Sequence, residues 1–213
     1  MRMRKKKCTP KRLEEYKDFF IQAEAGTILD TTEIFGNGNP VMVEIGAGKG
    51  QFITTLARMN PDINYIAFEK CSDVIAIAAT KSEGIKNLRY VNTDASLIDT
   101  VFEEKSISGL YLNFSDPWKK SGQKKRRLTH TNFLKKYEVI LKEGAQIQFK
   151  TDNVQLWEFS VEEMKNYPMQ ILEYYEDLHK EKPEGNIMTE YEERFSSQGF
   201  PIHKITAIFK TKE

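Results

Sequence analysis

Short apolar runs alternate with stretches of helical spacing along most of the chain. Val41-Met42-Val43-Glu44-Ile45, Ile63 to Phe68, Leu88 to Val91 and Gly109 to Phe114 are short and apolar enough for strands buried on both faces. Between them, Gln51 to Met59 and Ser72 to about Ser82 carry a helical period, with Ser72 offered as N-cap. Further on, Thr129 caps a predicted helix to Leu141, Ala145 to Lys150 alternates as a strand, and Asp152-Asn153 start a helix to about Asn166. Met169 to Tyr175 and Ile202 to Lys210 read as the last strands. No long helix separates them, so they are expected to form an antiparallel pair. Lys180 to Ile187 reads as a polar loop, and Thr189 caps a short helix over Glu190 to Ser197. Near the N-terminus, Thr9 to Ala23 places Leu13, Tyr16, Phe19 and Phe20 on one helical face.

This alternation predicts an α/β fold. The expected sheet is mostly parallel, with about seven strands, helices on both faces and an antiparallel edge strand. Residues 1–23 read as a basic N-terminal arm and helix, and 24–213 as a single domain.

In such sheets ligands bind beyond the carboxyl ends of the strands, and acids collect there in this sequence. Glu44 precedes the turn Gly46-Ala47-Gly48-Lys49-Gly50, Glu69 ends the next strand, Asp94 follows the third, and Asp116 follows Gly109 to Phe114. A dinucleotide fingerprint would place its last glycine where Gln51 stands. An acid beside the turn repels a pyrophosphate but suits a ligand that carries an ammonium and a sulfonium, and Glu69 suits ribose hydroxyls. S-adenosyl-L-methionine has all of these groups; the alternative is a tight βα turn flanked by surface acids. Asp116-Pro117-Trp118 sets a carboxylate and an aromatic face beside Lys119, Lys120, Lys124, Lys125, Arg126 and Arg127. That grouping points to chemistry on a nucleic-acid base.

Charge sharpens this reading. The 213 residues carry a net charge of only +1, so no global field favours nucleic acid. The cations are instead clustered, at Arg2, Arg4, Lys5, Lys6, Lys7, Lys11 and Arg12 and again from Lys119 to Arg127. One cationic face is expected. The first twelve residues either join an RNA complex or serve as a solubilising tail. Cys8 and Cys71 stand far apart, and His130, His179 and His203 show no ligand spacing, so no metal site is expected. No apolar run has spanning length and no secretory signal is apparent, which gives the expectation of a cytoplasmic protein without a membrane partner.

Six segments carry a family resemblance: V-E-I-G-A-G-K-G (Val43 to Gly50), F-E-K (Phe68 to Lys70), N-F-S-D-P-W-K-K (Asn113 to Lys120), K-K-R-R-L (Lys124 to Leu128), F-K-T-D-N (Phe149 to Asn153) and T-E-Y-E-E-R-F (Thr189 to Phe195). Together they resemble the bacterial tRNA (guanine-N7)-methyltransferases, which are class I adenosylmethionine-dependent enzymes with a Rossmann-like fold. The first segment is generic to methyltransferases; the Asp-Pro-Trp, basic and Thr-Glu-Tyr-Glu segments in this order are more specific.

The resemblance implies methylation of N7 of a guanine in the variable loop of tRNA. It assigns Glu44, Gly46, Gly48, Glu69, Asp94 and Asp116 to S-adenosyl-L-methionine, with Asp116 also catalytic. It assigns Lys120, Asp152, Thr189, Glu190, Tyr191 and Glu192 to the substrate, and Gly122, Gln123, Lys124, Lys125, Arg126 and Arg127 to RNA contact. Where the family often has prolines around the Asp-Pro-Trp motif, this chain has Ser115 and Lys119. The expected partner is tRNA, not DNA, with the protein a monomer or homodimer. Open alternatives are a class I methyltransferase acting on a small molecule or protein, and a non-catalytic RNA-binding module. Locally, Trp118 either stacks on the base or anchors its loop, Asp152 either meets the substrate or caps a helix, and Thr189 to Glu192 either accept substrate hydrogens or cap theirs.

Overall fold

The computed structural model describes residues 9–211. The basic residues Arg2, Arg4, Lys5, Lys6 and Lys7, together with Cys8, lie outside the described residues. In chain order the elements are α1 (Thr9–Glu15), β1 (Phe20–Ile21), α2 (Thr31–Phe35), β2 (Val41–Ile45), α3 (Gln51–Met59), β3 (Asn64–Phe68), α4 (Ser72–Thr80) and β4 (Leu88–Val91). Then follow α5 (Ile98–Val101), β5 (Ile107–Asn113), α6 (Thr131–Ile140), β6 (Leu141–Thr151), α7 (Val154–Asn166), β7 (Met169–Tyr175), α8 (Leu178–Glu181), α9 (Glu190–Ser196) and β8 (His203–Phe209).

The strands form one eight-stranded sheet in the order β1-β4-β3-β2-β5-β6-β8-β7. The pairings from β1 through β6 are parallel. Strand β8 pairs antiparallel with both β6 and β7, which makes the last two strands the antiparallel end of the sheet. The apolar strand runs are explained by cover on both faces. One core joins Val43, Ile45 and Leu110 to Leu134, Tyr137 and Leu156 of α6 and α7. The other joins Tyr65, Ala67 and Tyr90 to Ile53, Ile75 and Ala78 of α3 and α4. Alternation along β2 sends Val41, Val43 and Ile45 into the first core and puts Glu44 on the opposite face with Met42. The direction of progression reverses between β2 and β5, and the crevice at that reversal is where a ligand site is expected.

Some expectations are corrected. The helix expected over Thr9 to Ala23 ends at Glu15; a 3-10 turn (Lys17–Phe19) follows, and Phe20–Ile21 pair with Tyr90–Val91 as an edge strand. Packing overrides helical periodicity here, because Phe20 gains a ring contact with Tyr90 at 6.0 Å. This edge strand is also the eighth. Cys71, not Ser72, is the N-cap of α4. Helix α6 is capped by His130, whose Nδ1 accepts from Asn132 N at 3.0 Å, while the Thr129 hydroxyl is engaged with Ser160 at 2.7 Å. The polar loop at Lys180 begins inside the single turn of α8, which Asp177 caps by accepting at Oδ1 from the His179 amide. No helix among the described residues is long and apolar enough to cross a membrane.

Gly50, at the start of α3, leaves no room for a side chain. Its φ is +79°, and an added Cβ would stand 2.7 Å from the Ala78 Cβ and 3.1 Å from the Tyr90 hydroxyl. Helix α3 therefore rests against α4 only because this position has no side chain. Gly50→Ala is predicted to destabilise the protein by about 1–3 kcal/mol through overpacking and backbone strain. Urea unfolding checks this; an unchanged midpoint would contradict it.

Candidate functional site

The carboxyl ends of β2, β3, β4 and β5 open into a cavity of about 890 Å³. That is the size of a site for a small organic ligand. Glu44, Gly46, Gly48, Glu69, Asp94 and Asp116 all line it. The turn after β2 winds through positive φ at Gly46 (+81°) and Gly48 (+58°), which glycine adopts without steric penalty. Glu69 ties this turn to the start of α4. Its Oε2 accepts from the Gly48 amide at 3.2 Å and its Oε1 from the Cys71 amide at 2.8 Å. Asp94 accepts from the Ser96 amide at 2.9 Å, and that bond is the main reason its carboxyl is held below the usual range.

Glu44 is the unusual group. It is 2% exposed, and its Oε1 accepts from Asn113 Nδ2 of β5 at 3.0 Å. Its Oε2 is buried with no hydrogen-bond partner among the described residues. Burial pushes the carboxyl up to about 7; the Asn113 bond opposes this, Glu69 adds to it, and the Lys150 charge opposes it again. A buried oxygen without a donor carries a desolvation penalty that a cationic ligand group would relieve.

The Asp116 loop is built from strained backbone. Phe114 and Trp118 sit at φ +49° and +42°. Such residues persist only where their surroundings fix them. The Phe114 amide donates to the Lys150 carbonyl at 2.9 Å, and Arg127 Nε donates to the Pro117 carbonyl at 2.9 Å. Arg127 is only 5% exposed, and its guanidinium lies 4.4 Å over the Phe159 ring. This corrects the expectation that Arg127 grips phosphate: it is turned inward and anchors the loop. Lys125 and Arg126 line the cavity, and the Arg126 guanidinium lies 3.8 Å over the Trp118 ring. Trp118 lines the cavity too. Lys120, Gly122, Gln123 and Lys124 stand outside the cavity; Lys120, Gly122 and Lys124 are exposed and Gln123 is half-buried. Asp116 itself is exposed.

Thr189, Glu190 and Tyr191 form the far wall. Thr189 caps α9 by accepting from the Glu192 amide at 2.9 Å, and Glu190 pairs with Lys81, the C-cap of α4, at 2.6 Å. Glu192 does not face the cavity. It is fully buried, paired with Lys150 Nζ at 2.9 Å, and accepts from Asn186 Nδ2 at 2.7 Å. Lys150 also donates to Asn186 Oδ1 at 2.6 Å and the Ile187 carbonyl at 3.0 Å. Burial lowers its pKa, and the Glu192 charge works the other way. Asp152 is half-buried away from the cavity, and Asn153, not Asp152, caps α7. Sequence reading assigned no role to Asn113 or Lys150. The available signal was a polar residue breaking an apolar strand at each position.

Residues 38–205 match a family model described as "Putative methyltransferase". The tRNA (guanine-N(7)-)-methyltransferase of Bacillus velezensis is 46% identical, over 100% of this chain and 99% of that protein. The enzyme of the same name from Listeria monocytogenes serotype 4b is 46% identical over 98% and 99%, and that from Bacillus subtilis 44% over 99% and 100%. Among solved structures, the 16S rRNA methyltransferase KamB matches with a TM-score of 0.62 at 14% identity, over 86% of this chain and 95% of that one. A SAM-dependent O-methyltransferase from Thermotoga maritima matches with a TM-score of 0.53 at 17% identity, over 88% and 68%. At these identities the solved structures bear on the fold alone, and they make it the Rossmann-like class I methyltransferase fold.

The Glu44 environment predicts a pH dependence. Between the ordinary value of 4.5 and about 7, the folded chain keeps a proton on Glu44 that the unfolded chain has released. Stability of the ligand-free protein therefore falls as pH rises through that window, by about 3 kcal/mol at roughly 1.4 kcal/mol per pKa unit. Glu44→Gln is expected to be nearly as stable as the parent at pH 5 and more stable at pH 8 in urea unfolding. The same difference at both pH values would contradict this.

Proposed function

The chain belongs to the bacterial tRNA (guanine-N(7)-)-methyltransferase family, and on that premise we propose that it methylates N7 of a tRNA guanine with S-adenosylmethionine as methyl donor. The supporting observation is one cavity that joins a half-paired buried acid, an exposed carboxylate and an aromatic wall flanked by cations.

The donor set fits the cofactor. Glu44 Oε2 suits an ammonium, and Glu69 and Asp94 keep acceptor capacity for hydroxyls after their backbone bonds. When bound, the cofactor supplies an electrophilic methyl on a sulfonium. Guanine N7 carries a free lone pair and no proton, so the protein needs no general base at that atom. Its task is alignment, which contributes roughly 7–11 kcal/mol in the best-oriented cases. Asp116 accepts from guanine N–H groups, which fixes the base, and its negative charge offsets the positive charge that alkylation creates. Trp118 offers the base a stacking face at the same wall. Lys119, Lys120, Lys124, Lys125 and Arg126 hold the surrounding phosphates, so tRNA affinity falls with salt. The basic N-terminal residues belong to this reading as an arm toward RNA, and the methyltransferase domain includes the edge strand Phe20–Ile21.

Undermodified tRNA incubated with methyl-labelled cofactor and digested to nucleosides is expected to yield labelled 7-methylguanosine. Label in a different nucleoside would end the reading. Asp116→Ala is expected to lower kcat/KM by about 100- to 1000-fold, the loss typical of one transition-state contact. Because Asp116 is exposed, the unfolding midpoint should stay in place. Turnover at the parent rate would remove Asp116 from the site.

A further inference from the structure

Four aromatic rings run outward from the cavity along α9. Phe114 and Tyr191 line the cavity, with ring centroids 5.9 Å apart and planes at 30°. Tyr191 stacks on Phe195 at 5.3 Å and 23°, and Phe195 meets Phe200 edge-on at 5.8 Å. Tyr191 is 55% exposed and Phe200 52% exposed, so neither ring is needed to fill the core. We propose that this run is a stacking track for an unpaired nucleobase next to the target guanine, with Phe200 as its outer platform. The inference rests on the tRNA reading above and adds a binding surface to it.

A guanine inside a folded tRNA must leave its stack before N7 can meet the methyl. Its neighbours then expose apolar faces, and aromatic side chains bind such faces whatever the base. The charge on α9 argues for a base and against a phosphate. Glu190 and Glu192 are already paired with Lys81 and Lys150, Glu193 is exposed, and Arg194 is the cation beside them, 5.7 Å over the Phe195 ring. Phosphates find their cations instead at Lys125 and Arg126 on the opposite wall and at Lys124 just outside the cavity. The platform is held firmly although exposed. The Phe200 amide donates to the Phe195 carbonyl at 3.1 Å after a turn at Gly199 with φ +80°, and α9 is clamped by the buried Glu192.

The test compares Phe200→Ala, Phe200→Leu and Phe200→Trp for tRNA affinity, cofactor affinity, unfolding midpoint and sedimentation. The track predicts that Ala and Leu weaken tRNA binding by about 5- to 150-fold and that Trp restores it. Cofactor affinity, midpoint and the salt slope of tRNA binding stay at parent values. Leu binding tRNA as well as Phe would show mere apolar packing and overturn the proposal. So would parent-like binding by all three variants, or a change in sedimentation without a change in tRNA affinity, which would mark a contact between copies. Loss of the underlying reading is distinct: the parent protein would then methylate no tRNA, and this inference would fall with it.

Discussion

A buried carboxylate with one oxygen left unpaired, at the end of the central strand β2, constrains the rest of the site. Glu44 is held by a neighbour strand through Asn113 and is otherwise enclosed. Burying a charge without partners is unfavourable, so the ligand-free protein holds a proton on Glu44 to a much higher pH than an ordinary carboxylate. The arrangement is stable enough to fold and unfavourable enough to reward a cation. The glycine turn beside it and Glu69 beyond it are organised by backbone hydrogen bonds, so the cavity is shaped before any ligand arrives.

The substrate side is built by a different device. Two buried cations, one of them from the basic run, serve as internal fasteners. Arg127 holds the Pro117 carbonyl and lets Trp118 keep its left-handed backbone; Lys150 holds Glu192 and so fixes the start of α9. Removing one partner of a buried ion pair such as Lys150–Glu192 typically destabilises by about 3–5 kcal/mol. Of the groups they support, Asp116 and Tyr191 are exposed and Trp118 is half-buried, and all three face the cavity. Rigid supports under exposed functional groups are what an alignment-driven reaction requires.

The alternating pattern revealed most of the sheet because local propensity and burial agree there. Helix α3 and strands β2, β4 and β7 have the bounds that the pattern gave. Misreadings arose where tertiary partners decide. Phe20 and Ile21 look helical until the edge of β4 is beside them. Thr129 is a plausible cap by type, yet Ser160 claims its hydroxyl. A run of Lys and Arg carries no sign of which cation turns inward, so Arg127 read like its neighbours. The Lys150–Glu192 pair joins residues 42 positions apart, beyond the reach of any local pattern. Motif order reached the family, but only packing separates the residues that face the cavity from those that hold the wall.

Calorimetry of S-adenosylmethionine binding at pH 6.5, in buffers of differing ionisation enthalpy, tests the central claim most directly. An α-amino group is almost fully charged there, while Glu44, with its carboxyl near 7, is mostly protonated. Pairing with the ligand ammonium is then expected to release protons in the parent protein and none in Glu44→Gln. Binding heats identical in every buffer for the parent protein would show that Glu44 does not receive the cofactor's charge, and the account of the site would fail.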